Sequence, residues 1–198
     1  MSVLENKIKL IENEVKESII VKSELLNNKR TIAEMDRIAK KSIMQLKKGN
    51  KILLAGNGGS AADAQHIAGE LVSRFYFDRP ALPAMALTTD TSILTAIGND
   101  YGYEQLFARQ IEGNGAEGDI FIAISTSGNS NNIIEALKVA KRKKLITIGF
   151  SGSKVGLMDD LCDFNLKVPS TSTPRIQEAH ILVGHTICML IEKVIFED

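Results

Sequence analysis

The chain has 198 residues, of which 44% are hydrophobic and 24% charged, and its 24 Lys+Arg are balanced by 24 Asp+Glu. That length suits one domain with a real buried core, and zero net charge leaves no basic field to favour nucleic acid as a partner. Cys162 and Cys188 lack C-x-x-C spacing and read as small packed hydrophobes rather than as a disulfide.

The N-terminus is charged from residue five and has no apolar h-region, so it does not read as a signal peptide. No run reaches the roughly 18 apolar residues of a membrane span. A soluble, cytoplasmic protein without a membrane partner is the expectation.

The first fifty residues hold no glycine before Gly49 and no proline. Leu4, Ile8, Ile11, Val15 and Ile19 recur at three- and four-residue steps, the stripe of an amphipathic helix. A second helix is expected over Lys29 to Leu46. Both precede any strand, so the first stripe is expected to pack on a neighbouring subunit, with the chain's own sheet as the alternative.

From Lys51 short apolar runs alternate with helical stretches. Strands are expected at 51–56, 84–87, 119–125, 145–150 and 164–168, and helices at about 60–75, 91–112, 130–143, 154–161 and 173–196. The runs before Gly56, Ser125 and Gly149 are nearly continuous in apolar residues, as strands covered on both faces should be. Such alternation predicts an α/β fold with a five-stranded parallel sheet and right-handed crossovers. The cluster Lys141-Arg142-Lys143-Lys144 falls where a helix should end and suits the negative end of its dipole.

Ligands of open parallel sheets bind beyond the carboxyl ends of the strands, and three loops at that edge are candidates. In "STSGNS", residues 125–130, four hydroxyls crowd around Gly128 at a helix entry. Backbone N–H groups and the positive helix end suit a phosphate, and hydroxyls add donors without charge. A plain helix cap would need only one of them.

In "GNGGSA", residues 56–61, Gly56, Gly58 and Ala61 fit the dinucleotide pattern G-x-G-x-x-A. The acidic residue that pattern expects at the end of the second strand is missing, since Asp78 lies before that strand. Two phosphate-friendly loops fit a sugar phosphate better than a dinucleotide. "TTD" (88–90), with "IGNDYG" (97–102) one helix later, forms the third region.

The three histidines are His66, His180 and His185. His66 and Glu70 stand four apart on one helical face. That spacing also serves an ordinary surface hydrogen bond, but the neighbouring phosphate loop weighs toward a metal such as zinc. Gln177 and His185 are separated by about 12 Å of helical rise, so they meet one ion only at full stretch or from different subunits. His180 and His185 point about 140° apart, which makes His180 structural.

With these residues assembled, the chain resembles the sugar isomerase (SIS) superfamily, and within it the isomerases of seven-carbon sugar phosphates. The likeness runs from about residue 45 to the C-terminus through "GNGGSAADAQHIAGEL", "LTAIGNDYGYEQLFARQ", "ISTSGNS" and "RIQEAHILVGHTICMLIE".

It implies a flavodoxin-like single domain over 1–198, with 1–48 used in oligomer packing and 49–198 as the α/β core. It also implies a homotetramer with active sites between subunits. The substrate phosphate would sit on Ser125, Thr126, Ser127 and Ser130, and the sugar on Asn57, Gly58, Gly59, Asn99 and Asp100, with Glu70 and Gln177 also contacting substrate. Zinc would be held by His66, Glu70, Gln177 and His185, and Glu70 and His185 would form the acid–base pair.

Tight binding to zinc would weaken Glu70 as a base, so its two roles compete. Pro174 stands where some members carry an acidic residue, which alters substrate contacts there more than the reaction. A non-catalytic relative of the DnaA initiator-associating type, in which the catalytic pair is not kept, is the principal alternative. A sugar-phosphate-sensing module comes next and a nucleotide-dependent dehydrogenase last.

Overall fold

A computed structural model describes residues 3–197, with side chains from Asn6 onward. Two helices lead, α1 (Val3–Asn27) and α2 (Lys29–Lys47). The α/β part follows as β1 (Ile52–Gly56), α3 (Gly59–Val72), β2 (Ala84–Ala86), α4 (Thr91–Tyr101), α5 (Ala108–Asn114), β3 (Ile120–Ile124), α6 (Asn131–Arg142), β4 (Ile146–Ser151), α7 (Met158–Leu161), β5 (Phe164–Lys167) and α8 (Thr173–Phe196). All four strand pairings are parallel, in the order β2-β1-β3-β4-β5.

Every residue of β1 and β3 is buried, because the strands alternate between two apolar layers. Ile52, Leu54, Ile120 and Ile122 face a core shared with α2, α3 and α8. Leu53, Ala55, Phe121 and Ala123 face the other, beneath α5 and α6. The result is a three-layer sandwich in which all five expected strands form.

Two helical expectations need correction. The stretch 91–112 is not one helix: Gly102, at φ +91°, breaks it into α4, a short 3-10 turn at Tyr103–Gln105, and α5. The stretch 154–161 shrinks to α7, because Gly156 lies against Gly128 and the segment before Met158 is loop. Arg142 and Lys141 do fall in the last turn of α6.

The α1 stripe is not buried on the chain's own sheet. Ile8, Ile11, Val15 and Ile19 are 53–65% exposed, while Val21 and Leu25 lower on the helix are covered. The Leu4 side chain lies outside the described part. On its inner side α1 meets α8 through ions and hydroxyls: Arg175 pairs with Glu14, and Ser18 donates to Glu178 at 2.6 Å.

Against the sequence expectation, α8 is long and apolar enough to cross a membrane by length and composition. Its Ile176, Ala179, Val183, Ile187 and Ile191 are buried in the core it shares with α2, α3 and the sheet. Cys162 and Cys188 are unpaired, as expected, and burial pushes both thiols up to about 12.

The contact that positions the site is between α3 and α8, which run side by side in the same direction. Gly59 touches Gln177 at one end, and Gly184 touches Ile67 two turns further on. A Cβ on Gly184 would lie 2.6 Å from Ile67 Cδ1. We therefore expect Gly184→Val to force the helices apart and lower stability by about 1–3 kcal/mol, measured by denaturant unfolding. A variant as stable as the parent would contradict this packing.

Candidate active site

The chain reverses direction across the sheet after β1, which feeds β2 on one side and borders β3 on the other. The crevice at that switch lies between the loops that follow β1 and β3, where ligands of open α/β sheets bind. Gly58 sits there at φ +55°, a backbone that L side chains rarely adopt. Asn57 and Asn132 exchange amide hydrogen bonds at 2.9 and 2.8 Å, and the Tyr103 hydroxyl donates to Asn57 Oδ1 at 3.0 Å. These bonds lock the two loops together.

Two clefts meet at that lock. One, of about 370 Å³, reaches from Gly56 and Gly58 to Thr88, Thr95 and Gly98. The other, of about 320 Å³, lies between Asn57, Tyr103, Glu104 and Ser130. The crevice therefore has polar groups on both walls and room for a small polar ligand.

The hydroxyls at 125–130 are organised as a group. Ser125 is buried and meets the Ser130 hydroxyl at 2.9 Å and that of Ser127 at 3.4 Å. Ser130 is the residue before α6, yet its side chain caps nothing, so the plain-cap reading fails there. The loop is pinned from behind, where Asn129 Oδ1 accepts from Leu157 N and Gly128 O from Met158 N. Ser130 opens toward the Asn57 cleft. Thr126 and Ser127 line a third recess of about 160 Å³, beside Ser153, Lys154 and Thr173 at the start of α8.

Further along the α3–α8 contact, His66, Glu70 and His185 converge. Glu70 Oε1 lies 3.0 Å from His66 Nε2, and His66 Nε2 lies 3.2 Å from His185 Nε2. All three ligand atoms fall within 4.8 Å of one another. Tetrahedral zinc with bonds of 2.0–2.1 Å has donor–donor edges of about 3.3 Å, so these three residues fit a metal ion. Two imidazole nitrogens this close also need a proton or a cation between them, because facing lone pairs repel. One turn before His66, burial pushes the Asp63 carboxyl up to about 6, and the field of His66 opposes the rise.

Not every expected residue joins this cluster. Gln177 lies at the other end of the helix pair, against Gly59, about 12 Å of rise from His185. It borders the first loop, apart from the cluster of His66, Glu70 and His185. Asn99 donates to its neighbour Asp100 at 2.8 Å, and both are exposed on α4 while Thr95 and Gly98 face the cleft. His180 is fully buried, with Nε2 3.3 Å from Ser151 O and its ring against Phe150, apart from the cluster.

The matching family model is that of the SIS domain, over residues 21–152. The chain belongs to the SIS domain family. A phosphoheptose isomerase of Aneurinibacillus thermoaerophilus is 61% identical over 188 residues, 95% of each chain. Phosphoheptose isomerase 2 of Campylobacter jejuni is 59% identical, over 98% of this chain and 96% of that one. A solved phosphoheptose isomerase structure from Francisella tularensis superposes with a TM-score of 0.89 at 37% identity, covering 98% of this chain and all of that one. These relatives match 95–98% of this chain.

Sequence reasoning missed four residues that shape the site of this SIS domain. Asn132 and Tyr103 lock the crevice, and the buried Arg79–Glu192 pair reaches the main chain of Glu70. Asn132 stands two residues beyond the serine loop, where a polar residue passes for helix surface. Glu192 was visible as a charge amid "MLIEKVIF", one step from Ile191 on the buried side of the helix.

Burial lowers the His180 imidazole to about 4, against a partial rise from its bond to Ser151. The unfolded imidazole takes up its proton as pH drops through about 6.5, whereas the folded one stays neutral to about 4. The unfolded state then binds more protons, so stability falls with falling pH across that window, by on the order of 3 kcal/mol from this residue. Unfolding free energies between pH 7 and 4 should show this loss, and His180→Gln should lack that component of the slope.

Proposed function

We propose that this protein interconverts sedoheptulose 7-phosphate and D-glycero-D-manno-heptose 7-phosphate, with Glu70 and His185 moving the protons. The observation that carries the proposal is the convergence of Glu70, His66 and His185 in a chain whose relatives, matched over 95–98% of its length, are phosphoheptose isomerases.

The reaction moves a carbonyl from C2 to C1. Glu70 takes the proton from C1 while O2 gains one, giving an enediol. O1 then releases its proton as Glu70 returns the carbon proton to C2. His185 exchanges the hydroxyl protons or opens the sugar ring, a task that suits an imidazole because one ring nitrogen can accept a proton and the other donate one. The phosphate rests on Ser125, Thr126, Ser127 and Ser130 at the α6 N-terminus. Asn57, Gly58, Gly59, Asn99 and Asp100 hold the sugar hydroxyls.

Zinc suits two imidazoles and a carboxylate, with Gln177 as the fourth ligand. When bound, the ion would offset the negative charge that develops on the enediolate oxygens. Since Gln177 of the same chain is two helical turns away, it would come from another subunit of a homotetramer. The exposed Ile8, Ile11, Val15 and Ile19 stripe of α1 supports such packing, because an apolar face of that size is costly in water. The enzyme would work in the cytoplasm, supplying a heptose for surface glycans such as lipopolysaccharide or capsule.

Glu70→Gln and His185→Gln should each cut turnover of sedoheptulose 7-phosphate by roughly 10²–10⁴, with assembly unchanged on size-exclusion chromatography. Chelation should inactivate the parent protein, and added zinc should restore it. Parent-like turnover in either variant would remove that residue from the mechanism.

Placing two glutamates on the α1 stripe, Ile11→Glu with Ile19→Glu, should release species smaller than the parent assembly in light scattering. An unchanged mass would mean that α1 is not the packing surface.

A further inference from the structure

We infer that Arg79, Glu192 and Phe75 position Glu70 against His185, an inference that rests on these two being the proton-moving pair. Arg79 and Glu192 have side chains only 2% and 1% exposed, and they meet at 3.0 Å. The guanidinium also donates through Nη2 to Glu70 O at 2.8 Å, and through Nη1 to Leu71 O at 2.7 Å and Pro80 O at 3.1 Å. It therefore holds the backbone of Glu70 itself, near the end of α3, where carbonyls lack helical partners.

Glu192 stands seven residues beyond His185 on α8, two turns away on nearly the same face. Its Oε2 accepts from Phe75 N at 2.8 Å, and its Oε1 from Tyr76 N at 2.6 Å and Phe77 N at 3.3 Å. Burial alone would raise this carboxyl, but those backbone donors and Arg79 outweigh it and hold it below the usual range. The Phe75 backbone so anchored sets its ring 5.5 Å from the His185 ring, and His185 in turn lies 4.8 Å from His66, centroid to centroid.

One closed network thus reaches the main chain of Glu70 at one end and the imidazole face of His185 at the other. A buried ion pair is a weak source of stability, since an apolar pair of like volume often does as well. What an apolar pair could not do is grip two carbonyls of α3 and three N–H groups of the 75–77 turn together. Groups that orient ligands and reacting side chains in this way commonly matter 10- to 100-fold for activity or metal affinity.

The test compares Arg79→Lys, which keeps the charge but cannot span the carbonyls and Glu192 together, with the double variant Arg79→Met/Glu192→Leu. Both should keep the parent's assembly, and the double variant, which leaves two carbonyls and three N–H groups without their partners, should melt below the parent yet stay folded at the assay temperature. Both should lose about 10- to 100-fold in kcat with KM within about threefold. Zinc affinity, read by competition with a chromophoric chelator, should weaken about tenfold.

A folded variant with kcat and zinc affinity within about twofold of the parent would overturn the inference, and so would unfolding of both variants, which assigns the pair to stability alone. Glu70→Gln is assayed beside them. Parent-like turnover there brings down the reading of Glu70, whereas an inactive Glu70→Gln with an active Arg79→Lys brings down only the positioning role.

Discussion

Two helices packed glycine against side chain govern this molecule. Gly59 lies under the Gln177 side chain and Gly184 under that of Ile67, so the axes come nearer than they could with a side chain at either glycine. Parallel direction then fixes the register: what α3 carries seven residues after Gly59 meets what α8 carries eight after Gln177. That is how His66 and His185, 119 positions apart in sequence, come to stand 3.2 Å apart. Neither imidazole would be at a site without the glycines.

The second constraint lies at the carboxyl edge of the sheet. Strand order forces the loops after β1 and β3 to flank one crevice, and the Asn57–Asn132 amide pair ties them. The polar side chains that line this crevice are mainly amides and hydroxyls rather than lysines. A phosphate bound there would rely on helix N-termini and neutral donors, which would leave the overall charge of the chain free to be zero. A site built this way discriminates by geometry more than by field.

The sheet was legible because its strands are short, apolar and separated by turns. The serine loop was legible because four hydroxyls exceed what capping needs. Helix α4 ran on too far in the sequence reading, since "IGNDYGYEQ" keeps a helical pattern across Gly102 and only its positive φ reveals the break. His66 and Glu70 were placed on one face by spacing alone, but their meeting with His185 depends on how two helices pack, which no local pattern encodes. For Gln177 the arithmetic of helical rise gave the correct separation from His185, and its neighbour Gly59 became visible only in three dimensions. Arg79 was hidden for a plainer reason: in "FDRPALP" it passes for loop surface, and its partner lies 113 residues away.

The same helix register bears on how much of a working site one chain supplies. The crevice loops adjoin the start of α3, whereas His66 and Glu70 lie two and three turns along it, roughly 10–16 Å of rise away. A carboxylate that exchanges protons with a carbon needs that carbon within contact distance, so under the proposed roles the serine loop and Glu70 of a single chain would serve one small sugar poorly. Glu70 is still partly open, with 22% of its side chain exposed, and His66 is half exposed. A second subunit that brings its own crevice to this cluster would shorten the gap, supply a nearby Gln177 and cover the exposed α1 stripe. Three separate features of the chain, the distance along α3, the stranded glutamine and the bare apolar face, are then answered by one arrangement. Each on its own would require a different explanation.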